Sequence, residues 1–177
     1  MGKRLYALQG INQIMIIGLI SDTHDNMPYI KKAIEKLKEE RVKLVLHAGD
    51  YVSPFTAKPY AELDVPMIGV FGNNCAETEH LKRVYSEVGC DIRGYFTEVE
   101  AYGLKIALFH GHRKEDVEKA KNGDYDVVVS GHFHKSSIYE ENGKLWVNPG
   151  ELCGYLYGTN SIGFLDAEKR FAWIAEL

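Results

Sequence analysis

The amino-acid sequence predicts an α/β fold of two mixed β-sheets packed together, with helices on the outside. Two observations lead there. In the first half, short apolar, β-branched runs alternate with segments of helical periodicity, the pattern of parallel strands joined by crossover helices. In the second half, short strand candidates separated by turn residues dominate, which suits hairpins. A chain of 177 residues is long enough to bury one substantial core. No repeat, low-complexity tract or linker divides it.

Taken in order, Met15-Ile16-Ile17-Gly18-Leu19-Ile20 is short, apolar and bounded by polar residues, as a buried strand is. Residues 1–14 lie upstream of it and are read as an N-terminal extension, with 15–177 as the domain. Pro28 to Glu40 carries apolar residues at Tyr29, Ile30, Ala33, Ile34 and Leu37, one face of a helix whose first turn suits Pro28. Leu44-Val45-Leu46 and Met67 to Phe71 are the next two buried strands, separated by a short helix over 54–62 that Pro54 begins. A helix over 77–88 follows. Further strands are expected over Thr97–Tyr102, Lys105–Phe109, Val127–Ser130, Ser136–Glu140, Leu145–Val147, Ser161–Leu165 and Phe171–Ile174, with one helix at about Lys114 to Lys121. Tyr102-Gly103 marks a turn, and Asn142-Gly143 is a type I′ hairpin signal because both residues tolerate positive φ.

Composition narrows the function. Asp and Glu number 25 against 21 Lys and Arg, a net charge of −4, which argues against a broad nucleic-acid surface. No apolar run reaches the roughly 18 residues of a membrane helix, so no membrane association is expected. Cys75, Cys90 and Cys153 form no CxxC pair, and a disulfide framework is not expected. The chain reads as cytoplasmic.

Polar clusters close five of the predicted strands. Asp22-Thr23-His24 follows the first, Gly49-Asp50 the second and Gly72-Asn73-Asn74 the third; His110-Gly111-His112 and Gly131-His132-Phe133-His134 follow later ones. Ligand sites in α/β sheets form outside the carboxyl ends of strands. Asp, Asn and neutral His make an oxygen and nitrogen donor set for Mn²⁺, Fe²⁺, Co²⁺, Ni²⁺ or Zn²⁺. No thiolate is required, unlike most structural zinc sites. Asp22-x-His24 is expected to place both side chains on one side of an extended segment; His132 and His134 grip one ion in the same way or point to two. The adjoining glycines permit unusual backbone or close approach.

These five clusters, in this order, resemble the calcineurin-like metallophosphoesterase superfamily. The short length and lack of inserts are similar to its small prokaryotic phosphodiesterases, the YfcE-like branch. The resemblance covers nearly all of residues 15–175 and implies a four-layer αββα sandwich. It implies two divalent metal ions, with Mn²⁺ the expected species. Asp22, His24, Asp50 and His134 would hold one ion and Asp50, Asn73, His110 and His132 the other, with Asp50 bridging. The implied reaction is hydrolysis of a small phosphoester, a phosphodiester first, by a hydroxide bridging the two ions. A phosphomonoesterase, a dinucleoside-polyphosphate hydrolase and a non-catalytic interaction module on the same fold are the alternatives.

The chain departs from the family pattern at Asn74-Cys75, where many relatives have a histidine and then an acidic residue. Asn74 is taken as a catalytic hydrogen-bond donor, since it cannot act as a general acid. His112 is the candidate proton donor, or else a histidine supporting the ligands. His47 is expected to pack at a strand end and Cys75 to be a buried, inert thiol. Tyr155 and Tyr157 lie in a late aromatic turn without an assigned role. A homodimer is compatible with the aromatic content.

Overall fold

A computed structural model describes residues 14–177; the expected N-terminal extension therefore lies, apart from Ile14, outside the described residues. The first sheet is built from β1 (Ile16–Ile20), β2 (Leu44–His47), β3 (Met67–Gly69), β4 (Cys90–Ile92), β10 (Ser161–Asp166) and β11 (Phe171–Glu176). Their order across it is β11-β10-β1-β2-β3-β4. Strands β1 to β4 run parallel, and β10 and β11 add antiparallel at one edge. The second sheet, β5-β6-β7-β9-β8, is built from β5 (Phe96–Ala101), β6 (Leu104–Phe109), β7 (Val127–Val129), β8 (Ser137–Glu141) and β9 (Lys144–Asn148). Here β6, β7 and β9 are parallel while β5 and β8 are antiparallel partners. Both sheets are mixed, as expected.

Side-chain alternation along the strands generates the layers. Ile17 and Leu19 of β1 point into the core between the sheets, where Leu44, Leu46, Ile106, Leu108, Val127 and Val129 meet them. Ile16 and Ile20 face the other way, onto helix α1 (Met27–Glu39). That helix buries Ile30, Ala33, Ile34 and Leu37, the stripe read from the sequence. Each of these larger aliphatic side chains contributes roughly 1.5–3 kcal/mol by leaving water. The 3-10 helix Pro54–Glu62 and helix α2 (Thr78–Glu87) complete this outer layer. On the far face, Val117 and Ala120 of helix α3 (Lys114–Asn122) pack on Ala107, Phe109, Val128 and Trp146. The result is the αββα sandwich.

Two local departures stand out. The expected strand Met67–Phe71 is a strand only over Met67–Gly69: Val70 N–H still donates to His47 O, but Phe71 N–H donates to Gly94 O instead of a sheet neighbour. Strand β4 was not anticipated: three residues, with Asp91 exposed between buried Cys90 and Ile92, are too few for periodicity to register. Both hairpin signals hold, with positive φ at Tyr102, Gly103, Asn142 and Gly143.

Candidate metal centre

All five polar clusters arrive at the carboxyl ends of parallel strands. Asp22 follows β1, Asp50 follows β2 and Asn73 follows β3; His110 follows β6, and His132 and His134 follow β7. The loops are tied to one another before any ligand is considered. Asp22 N–H donates to Gly49 O at 3.0 Å, His24 N–H to Asp50 O at 3.1 Å and Gly131 N–H to His110 O at 2.9 Å. Two glycines allow this closeness. A β-carbon at Gly72 would overlap Asp50 Oδ1, and one at Gly131 would overlap Ser21 Oγ.

The backbone corrects one expectation. Asp22 and His24 do not share an extended segment; their φ values are 52° and 37°. Asp50, His132 and His134 are also left-handed, at 60°, 71° and 58°. Side chains thus converge through tight left-handed turns rather than by strand alternation. Such conformations cost of order 1–3 kcal/mol per non-glycine residue and concentrate where function requires them.

The side chains meet at short range. Asp22 Oδ1 lies 3.2 Å from His134 Nε2, 3.8 Å from His24 Nε2 and 3.9 Å from His110 Nε2. Asp50 Oδ2 lies 3.4 Å from His24 Nε2 and 3.3 Å from His110 Nε2, so this carboxylate stands between the two halves of the expected ligand set. Asp22, His24, Asp50 and His134 offer donor atoms all within 4.8 Å of one another. On the other side, Asn73 Oδ1 is 3.1 Å from His110 Nε2, and the His132 ring centroid is 5.2 Å from that of His110. His112 is close as well, 5.4 Å from His110 and 6.1 Å from His132 by ring centroids.

Hydrogen bonds around the cluster fix which atoms point inward. Asp22 uses Oδ2 to accept from Ser21 Oγ–H and from His132 N–H, leaving Oδ1 buried and unpartnered. His24 Nε2 is likewise buried with no hydrogen-bond partner. His110 directs Nδ1 at Ala48 O, 2.7 Å away, which sets Nε2 toward Asp50 and Asn73. Asn74, read from the sequence as a hydrogen-bond donor, donates both its N–H and its Nδ2 to Asp50, each at 2.8 Å.

Glu151 was not anticipated. Its carboxylate is fully buried, lies 2.7 Å from His134 Nδ1 and accepts from the N–H groups of Leu156 and Tyr157. A carboxylate on the far nitrogen of a histidine fixes tautomer and ring orientation. Burial opposes ionisation of Glu151, but these donors hold its pKa below the usual carboxylate value. An acidic residue after the Asn148-Pro149-Gly150 turn offers no local pattern that marks it.

Electrostatics agree with this geometry. Burial alone would lower the pKa values of His24 and His110, yet the Asp22 and Asp50 carboxylates raise both above the ordinary histidine value. Burial opposes the Asp50 charge, and contacts with His110 and Asn74 still hold it below the carboxylate range. The cluster therefore attracts positive charge. Buried donors without partners and this negative field both fit a divalent cation. His47 differs: its ring stacks on Tyr51 at 3.8 Å, Nδ1 accepts from Gly49 N–H, and burial pushes its pKa down to about 3. Cys75 accepts from Gly72 N–H, and burial pushes its thiol pKa up. Tyr155 and Tyr157 are exposed.

Comparison with known proteins decides the family. Residues 15–170 match the calcineurin-like phosphoesterase superfamily domain. The chain belongs to that superfamily. Membership places it among the phosphoric ester hydrolases. Within the superfamily it is 44% identical to a phosphodiesterase of Methanocaldococcus jannaschii over 158 residues, 88% of this chain and 95% of the relative. The structure of an archaeal phosphodiesterase superposes with a TM-score of 0.87 at 42% identity, covering 92% of this chain and all of that one. The phosphoesterase YfcE of E. coli, at 17% identity over 92% of this chain and 98% of that one, shares the fold with a TM-score of 0.68.

Proposed function

We propose that this superfamily member is a metal-dependent phosphodiesterase acting on small diesters in the cytoplasm, with two divalent ions, Mn²⁺ first, as its cofactors. One observation carries it: Asp22 Oδ1 and His24 Nε2 are buried without partners, inside a four-residue group of converging donors. Asp22, His24, Asp50 and His134 would hold one ion and Asp50, Asn73, His110 and His132 the other. When bound, such a pair supplies positive charge to phosphoryl oxygens and an acidified water for in-line attack.

The remaining chemistry belongs to the chain's own residues. Glu151 and Ala48 O take the Nδ1 sides of His134 and His110, leaving both Nε2 atoms for ligation. Asn74 positions Asp50 through two donated hydrogen bonds. Burial and the neighbouring His110 and His132 lower the pKa of His112, so its neutral form prevails near neutrality. A weak proton supply favours esters whose leaving group needs little protonation, such as aryl diesters. The resemblance to the named phosphodiesterase supports diesters over monoesters.

The test compares turnover of bis(p-nitrophenyl) phosphate and p-nitrophenyl phosphate by Mn²⁺-loaded protein. The diester should be preferred; equal or reversed rates would replace this assignment with a monoesterase. No turnover of either would favour an interaction module. A diester chiral at phosphorus should react with inversion, as direct attack by water requires; retention would mean a double displacement.

A further inference from the structure

Beside the candidate centre, on the outer face of the second sheet, lies a cavity of about 220 Å³. Four aromatic side chains line it: Phe109, Phe133, Tyr139 and Trp146. Tyr139 and Trp146 are cross-strand partners on β8 and β9, stacked nearly parallel at 6° with centroids 6.0 Å apart. Gly111 also contributes to the wall. The cavity is thus joined to the centre through two ligand loops. Gly111 sits between His110 and His112, and Phe133 sits between His132 and His134 with its ring 5.3 Å from that of His132.

One further fact points to an occupant. Phe133 is 64% exposed, although the same loop buries much of its histidine neighbours. An exposed aromatic ring between two candidate metal ligands is placed to receive a flat group from an ester bound at the centre. The volume is below the roughly 300 Å³ at which pockets begin to hold a whole small-molecule ligand, so it suits one substituent.

We propose that this cavity is a substituent subsite of the enzyme, taking a flat aromatic group by stacking, of which a nucleobase is the fitting class. It rests on the phosphodiesterase assignment above and names what one arm of the diester carries. Phe133 and Tyr139 supply aromatic faces, and the phosphorus remains at the metal centre. Stacking of this kind tolerates different bases because every base has a π-face.

The experiment uses two esters with the same leaving group, p-nitrophenyl thymidylate and methyl p-nitrophenyl phosphate, so that the chemical step is matched. The ratio of their kcat/KM values should favour the thymidylate by about tenfold or more. Ser137→Phe, which fills the cavity from an exposed wall position, should bring the ratio close to one. Trp146→Phe should lower it partly. A second readout is independent of turnover. The chain has two tryptophans, so Trp173→Phe leaves Trp146 as the reporter, and its fluorescence should be quenched saturably by thymidine monophosphate. Failure of Ser137→Phe to change the ratio, together with no saturable quenching, overturns the subsite. If neither ester is hydrolysed, the phosphodiesterase assignment falls instead, and the quenching alone decides whether the cavity binds.

Discussion

The two halves of the candidate centre are held in different ways. Around Asp22 and His134 the hold is firm: Asp22 is fully buried and accepts from Ser21 and His132, and His134 is fixed by the buried Glu151 carboxylate, while Asp22 Oδ1 and His24 Nε2 have no hydrogen-bond partner. Around Asn73 and His110 the hold is lighter. His110 is fixed by a neutral carbonyl, Ala48 O, and Asn73 is an exposed turn residue whose Oδ1 leans on His110. A carboxylate behind a histidine makes it a stronger ligand than a carbonyl does. Pre-ordered, buried donors also lose less freedom on binding than an exposed amide. The difference teaches that the halves are unequal, and it predicts loading in two steps, with the Asp22–His134 half filling first.

The largest effect should come from the residue both halves share. Asp50→Asn should lose well over about 100-fold in diester turnover, because even partners behind metal ligands cost 10–100-fold; circular dichroism checks that the fold is kept. Near-normal activity would remove the bridging role. Asn73→Ala should act on the weaker half alone. Metal analysis at limiting Mn²⁺ should find one ion where the parent protein has two, with activity recovering in excess metal. Glu151→Gln should weaken the first binding step by about tenfold or more in a calorimetric titration while leaving the second step nearly unchanged; equal weakening of both would erase the distinction between the halves. The smallest effect is expected from His112→Ala. Its loss should fall below the roughly 100-fold of a full general acid and be larger for alkyl than for aryl leaving groups.

Much of this was legible in the sequence, for identifiable reasons. The helix face Ile30, Ala33, Ile34 and Leu37 and the buried strands follow from periodicity, since each element hides one face or two. Seven polar residues closing strands could be assembled because strand ends share one side of a sheet. What escaped was set by tertiary contact. Glu151 reaches His134 from a separate loop, and no local pattern marks the pair. The left-handed φ of Asp22, His24 and Asp50 replaced an extended geometry that alternation would have favoured. That Asn74 spends its donors on Asp50 is an arrangement that only the approach of two loops reveals. The aromatic cavity joins Phe133, Tyr139 and Trp146 from three segments, none of which stands out alone.

Electron paramagnetic resonance of the Mn²⁺-titrated protein reads out whether Asp50 bridges a pair of ions. The first equivalent should give an isolated Mn²⁺ signal; the second should replace it with the spectrum of an exchange-coupled pair, and Asp50→Asn should never show that coupling. Saturation at one ion per chain, or two ions that remain magnetically independent, would contradict the account.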